Sequence, residues 1–395
     1  MLKILFVDDE PNVLQATRRA TRDMRHEWDI RFAEDADRAM AMLDEEMFDV
    51  VVTDMRMPGT DGAELLRLVR SCSPSTARIV LSGFAEEEAV FRSTRVAHQF
   101  LSKPCDVDLL KRTIAEIRAA QEAVPSARIR DLIGSVEQLP ALGEVYQRLT
   151  SAIESGQANN EQLAAIVSED VALTAEILRL LNSAFFGLSR RVESVGQAVG
   201  FLGVDVLRAI VAGHAVFNQG GTSAVDVDAI SRRSQEVAAL ARRIHRITTG
   251  ASSAELANIY LAGMLHEVGA LVITAIDGTS RLDLEGAFRS NEATVDRLVF
   301  GVDRFAVSSY LLGLWAFPTE IVQAVGTLSR PPDRSVSPLA WSLTLARHIV
   351  VNGHLGEDIV DDDAEVEALI RRVEGELAGD GAPTPGSDVV ASRIG

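Results

Sequence analysis

The chain has 395 residues, 47% of them hydrophobic, a formal net charge of −18 and two cysteines. That length and apolar content predict two or three packed domains and exclude a chain disordered throughout. The acidic balance argues against unaided binding of the whole molecule to nucleic acid or anionic membrane. Cys72 and Cys105 lack the spacing of a disulfide framework or a zinc site.

The first part of the chain alternates short apolar runs with helical patterns. The runs Ile4-Leu5-Phe6-Val7, Val50-Val51-Val52-Thr53, Ile79-Val80-Leu81 and Gln99-Phe100-Leu101-Ser102 end respectively at Asp8 and Asp9, at Asp54, at Ser82 and at Lys103-Pro104. Five rounds of strand and helix predict an α/β fold with a doubly wound, five-stranded parallel sheet covered on both faces. In such open sheets ligands bind beyond the carboxyl ends of the strands, so Asp8, Asp9, Asp54, Ser82 and Lys103 are expected to meet there. A single Asp at a strand end is commonly a turn or a cap, but the ordered set points to phosphoryl chemistry. Three crowded carboxylates call for a hard cation with oxygen ligands, Mg²⁺ above others. Asp54, aimed rigidly from a buried strand, suits a nucleophile attacking phosphorus in line, while Lys103 and the Ser82 hydroxyl suit phosphoryl oxygens.

With those residues, 1–122 resembles the receiver domain of two-component response regulators, which have a flavodoxin-like fold. The resemblance implies that Asp54 accepts phosphate from a histidine kinase, and that Asp8, Asp9, Asp54 and the Arg56 backbone carbonyl surround Mg²⁺. It further implies that Ser82 and Phe100 move together after phosphorylation, with Phe100 entering from an outward rotamer. Gly83 leaves room for the phosphoryl group, and the Lys103-Pro104 peptide is expected to be cis. Release of the second domain, or homodimerisation through the receiver face, are the two outputs this switch allows.

Val124-Pro125-Ser126-Ala127 marks a boundary, giving a linker at 123–128 and an all-helical domain at 129–355. Apolar spacing predicts helices over 106–123, 140–154, 160–168, 170–185, 194–216 with a break near Gly203, 228–247, 254–276, 287–300, 304–314, 319–328 and 338–351. Asn160 and Ser194 are expected caps. An acidic segment at 356–378 reads as a helix or a solvated run, and 379–395 as a disordered tail. The first apolar run is too short for a secretory signal, and the stretch 261–276 is interrupted by His266-Glu267. A cytoplasmic protein without a membrane span is therefore expected.

Several phrases of the helical part resemble the HDOD domain, a relative of the HD and HD-GYP phosphohydrolases: Glu169-Asp170-Val171-Ala172-Leu173-Thr174, Arg179-Leu180-Leu181-Asn182-Ser183-Ala184-Phe185-Phe186-Gly187, and Gly263-Met264-Leu265-His266-Glu267-Val268-Gly269. Enzymes of that superfamily enclose metal with several His and Asp ligands. Here only His266-Glu267 remains; Arg233 falls where an upstream ligand would, and Arg304 and Arg347 match downstream ones. Arginine has no lone pair to give, so a degenerate site with no metal and no catalytic residue is expected, with Glu267 paired to an arginine. The expected protein is thus a non-enzymatic response regulator whose HDOD output docks to signalling proteins, those of cyclic di-GMP pathways among them, without touching nucleic acid. Three alternatives stand beside it: a metal-dependent HD-type cyclic di-GMP phosphodiesterase, an effector that binds a nucleotide in the guanidinium pocket without hydrolysing it, and a DNA-binding regulator using Arg242-Arg243-Ile244-His245-Arg246.

Overall fold

The computed structural model describes residues 1–82, 96–124, 126–136, 143–155, 158–182, 194–203, 227–276, 302–329 and 337–352, with 192 and 207 besides. Gly83, the helix expected at 287–300 and everything from 353 onward lie outside them.

The N-terminal part is a five-stranded parallel sheet in the order β2-β1-β3-β4-β5. Its strands are β1 (Leu2–Val7), β2 (Trp28–Ala33), β3 (Val50–Asp54), β4 (Ala77–Ser82) and β5 (Gln99–Ser102). The register pairs Ile4 with Val50, Val52 with Ile79 and Leu81 with Leu101. Strands β3 and β4 are buried along their whole length, which is why they read as continuous apolar runs instead of alternating ones. Helices α1 (Pro11–Ala20), α2 (Ala36–Glu45), α3 (Gly62–Cys72) and α4 (Val107–Ala123) connect and flank them. Pro11 opens α1, where a missing N–H costs nothing. Asp35, Asp61 and Asp106 cap the next three through their side chains.

The helical part contains α5 (Ala127–Ser135), α6 (Gly143–Ser155), α7 (Asn160–Val167), α8 (Val171–Asn182), α9 (Val227–Thr249), α10 (Ser253–Leu265), α11 (Val268–Ile276), α12 (Arg304–Leu314), α13 (Thr319–Thr327) and α14 (Pro338–Asn352). Two expectations need correction. The cap of α7 is Asn159, not Asn160, because Asn159 and Gln162 close a reciprocal capping box. The helix expected over 254–276 is two helices, broken at the turn His266-Glu267. Within the stretch expected as a linker, α4 ends at Ala123 and α5 begins at Ala127, with Val124 and Ser126 outside both helices.

The two parts share one apolar core running from Leu2 to Ile349. Helix α12 lies along α4 so closely that a Cβ added to Gly313 would sit 2.7 Å from the Ala120 Cβ. Helix α5 sits on the turn after α3, where a Cβ at Gly134 would fall 2.0 Å from the Pro74 carbonyl oxygen. Between them the buried Arg78 guanidinium donates to the carbonyls of Val96 at 2.6 Å and Pro74 at 2.9 Å and reaches that of Gly134 at 3.4 Å. A buried cation is tolerated only when bonded in this way. Among the described residues one stretch, Ser253–Ile273, is long and apolar enough to cross a membrane, and 78% of its apolar 18-residue window is buried inside the protein.

Candidate functional site

The carboxyl ends of β1, β3, β4 and β5 bring Asp8, Asp9, Asp54, Ser82 and Lys103 to one edge of the sheet, as parallel topology requires. One ligand oxygen from each of Asp8, Asp9 and Asp54 lies within 4.8 Å of the others, close enough to share a metal ion. Lys103 Nζ stands 2.8 Å from Asp8 Oδ2 and 2.5 Å from Asp54 Oδ1. Asp8 and Asp54 are buried, Asp9 is half-buried, and Ser82 is fully buried. The Lys103–Pro104 peptide is cis. Arg56, two residues beyond Asp54, has an exposed side chain.

Glycine at 62 is a requirement of this geometry: a Cβ there would fall 2.1 Å from the Asp54 carbonyl oxygen. The start of α3 can therefore press against the end of β3, and Gly62 N–H donates to the Met55 carbonyl at 3.0 Å. Met55 N–H in turn donates to the Leu81 carbonyl, so the loop carrying Asp54 is tied on both sides.

Burial raises the Asp54 pKa above the usual carboxylate value; Lys103 opposes that rise and Asp8 adds to it. Burial also works against the Lys103 charge, but its bonds to Asp54 and Asp8 outweigh this and hold its pKa above the ordinary lysine value. Such a site carries more negative charge than its surroundings solvate. Three oxygen donors of this kind fit a divalent hard cation.

Phe100 is fully buried. Its neighbour Gln99, in edge strand β5, donates from Nε2 to the Leu314 carbonyl of α12 at 2.5 Å, a direct bond between the sheet and the helical part.

The second cluster expected from the sequence also assembles. Glu267 Oε2 accepts from Arg233 Nε at 2.8 Å, and its Oε1 lies 3.9 Å from Arg304 Nη1. Arg347 lies over the Phe305 ring at 4.5 Å, and Phe305 stacks on His266 at 6.1 Å. Burial alone would raise the Glu267 pKa, yet Arg233, His266 and Arg304 together bring it down to about 2. Burial lowers His266 to about 4, aided by Arg347 and Arg233. At neutral pH its imidazole is uncharged, with Nδ1–H donating to the Gly263 carbonyl at 2.7 Å. Glu267 is thus an ion-pair partner of arginine, as expected.

Both depressed values have the same sign for stability. The unfolded chain protonates His266 near the ordinary imidazole value of 6.5 and Glu267 near the ordinary carboxylate value of 4.5, while the folded chain resists until about 4 and about 2. Stability from His266 is full above 6.5 and declines towards pH 4; that from Glu267 declines from 4.5 downward. We expect the urea midpoint of the wild type to fall between pH 7 and pH 4.5 more than that of His266→Gln. Parallel pH profiles for the two proteins would contradict this.

Sequence reasoning did not find Gln99, Arg78 or Ser308. Ser308 Oγ accepts from Gly269 N–H and donates to the carbonyl of His266 or of Arg304, each at 2.8 Å. A serine amid the apolar residues of α12 was the available signal.

Comparison with known proteins follows this division. Residues 4–115 match the family model of the response regulator receiver domain, and 139–331 match that of the HDOD domain. The hydrogenase transcriptional regulatory protein HoxA of Cupriavidus necator is 34% identical over 120 residues, 30% of this chain and 24% of that protein. The response regulator protein PilR of Pseudomonas aeruginosa is 29% identical over 204 residues, 47% of this chain and 45% of that protein. The chain thus spans about a quarter to about a half of the length of these relatives. Among solved structures, the MmoQ response regulator of Methylococcus capsulatus is 23% identical, with a TM-score of 0.49 covering 62% of this chain and 98% of that one.

Proposed function

The chain joins a response regulator receiver domain to an HDOD domain, and from that premise we propose that Asp54 accepts a phosphoryl group from a histidine kinase and so switches an HDOD output that acts by binding other proteins. The receiver is taken as 1–122 and the output as 129–355. The observation that carries this reading is Lys103 Nζ placed between Asp8 and Asp54, with Asp9 beside them.

In the transfer, an Asp54 carboxylate oxygen attacks the phosphorus of a phosphohistidine. The new O–P bond forms as the P–N bond breaks, and the imidazole leaves with the electron pair. Lys103 then exchanges its Asp54 contact for a phosphoryl oxygen, and the Ser82 hydroxyl donates to another. When bound, Mg²⁺ would be held by Asp8, Asp9, Asp54 and the Arg56 carbonyl and would supply the neutralising charge for the phosphoryl group. Binding of that ion would also relieve the repulsion between Asp8 and Asp54 in the resting protein.

The HDOD part is read as non-enzymatic, because Glu267 is engaged with guanidiniums that give no lone pair to a metal, and His266 Nδ1 is spent on the Gly263 carbonyl. Its partners are signalling proteins recognised through the helical surface, in the cytoplasm.

Full-length protein incubated with acetyl phosphate and Mg²⁺ and weighed intact is expected to carry one labile phosphoryl adduct, and EDTA is expected to prevent it. No adduct under those conditions would overturn the phosphoacceptor reading. Hydrolysis of cyclic di-GMP by the same preparation would overturn the non-enzymatic one.

A further inference from the structure

Helix α12 touches the receiver at one end and the degenerate cluster at the other. At its C-terminal end the Leu314 carbonyl accepts from Gln99, the residue preceding Phe100 in β5, and Gly313 lies against Ala120 of α4 with no room for a methyl group. At its N-terminal end Arg304 faces Glu267, and Ser308 bonds both Gly269 N–H and the His266 carbonyl. A Cβ at Gly269 would fall 2.1 Å from the Arg304 carbonyl oxygen, so the turn between α10 and α11 is pressed onto the first turn of α12.

All of α12 except Ala306 is buried. A helix held on every side cannot absorb a push at one end by tilting into solvent; in a close-packed interior it moves as a body. Its eleven residues span roughly 16 Å at the α-helical rise. From these contacts we infer that α12 is a strut linking β5 of the receiver to the His266-Glu267 turn, so that the state of the phosphoacceptor and the packing of that turn are energetically coupled. The phosphate input rests on the reading of Asp54 given above; the mechanical link does not.

Hydrogen exchange read by mass spectrometry on the full chain separates the two. Gln99→Ala removes the bond to Leu314, and Gly313→Val wedges α12 away from α4, both without phosphate. In each variant exchange over 261–272 is expected to quicken about fivefold or more, the lower end of ordinary coupling, while 240–249 in α9 keeps its rate. In the wild type, beryllofluoride with Mg²⁺ is expected to change exchange over 261–272, and Gln99→Ala is expected to abolish that response.

If both variants fold by circular dichroism and exchange like the wild type over 261–272, there is no strut. If the wild type binds beryllofluoride and that segment does not respond, the link carries no signal. If beryllofluoride does not bind, the phosphoacceptor reading falls and the phosphate input with it, while the two variants still decide whether α12 joins its ends.

Discussion

Replacing Glu267 by alanine is expected to cost the folded protein about 3–5 kcal/mol, the usual result of removing one partner from a buried ion pair. The carboxylate is fully buried, bonded to Arg233 and faced by Arg304, which is itself fully buried. Truncation leaves cationic groups facing an apolar gap, and the energy lost is chiefly their desolvation. Glu267→Gln keeps an acceptor for Arg233 and should cost less. The double variant Arg233→Met with Glu267→Met should regain a large part of the loss, since apolar replacement of a whole buried pair is often nearly neutral. Equilibrium urea unfolding at pH 7 reports this through Trp315 and Trp341. A loss below about 1 kcal/mol in Glu267→Ala would place the carboxylate in the class of surface pairs and contradict its position between the two arginines.

The second large effect concerns Asp54→Asn, which should remove the acetyl phosphate adduct entirely while leaving the fold intact. Amide nitrogen and oxygen do not replace a carboxylate nucleophile. The same variant should melt at a higher temperature than the wild type in the absence of divalent ions. Burial and the neighbouring Asp8 both raise the Asp54 pKa, so the folded state holds this proton more tightly than the unfolded chain. The stability attached to it is therefore present at low pH and is lost as pH rises through the raised folded value. Neutral asparagine escapes that loss, while Lys103 keeps its contact with Asp8. Differential scanning calorimetry in EDTA measures the shift; a lower midpoint in Asp54→Asn would mean that the Lys103–Asp54 contact outweighs the repulsion.

The receiver was legible because its strands are buried on both faces and end at chemically distinctive residues. Val50-Val51-Val52-Thr53 followed by Asp54 signals both a central strand and the atom that leaves it. The arginine cluster of the helical part was legible only through resemblance, since Arg233, Glu267 and Arg304 lie far apart in sequence and periodicity cannot join them. The polar pair His266-Glu267 was visible inside the apolar stretch 261–276, but two polar residues do not by themselves end a helix; the bonds of Ser308 to the turn come from a helix about forty residues away and leave no local signal. The bond from Gln99 to Leu314 spans 215 residues, and a glutamine in an edge strand signals nothing by itself. Arg78 misleads in the opposite direction, because an arginine in a strand suggests solvent, whereas its guanidinium is buried among carbonyls.

The core that extends unbroken from Leu2 to Ile349 bears on how the molecule can be cut. A fragment ending near residue 122 would expose the flank of α4 that α12 now covers around Ala120, a raw greasy strip inviting self-association. The complementary fragment would bare Gly313. Dissection would then create stickiness foreign to the intact polypeptide, and any dimer seen with an excised half would record the scalpel, not the signal.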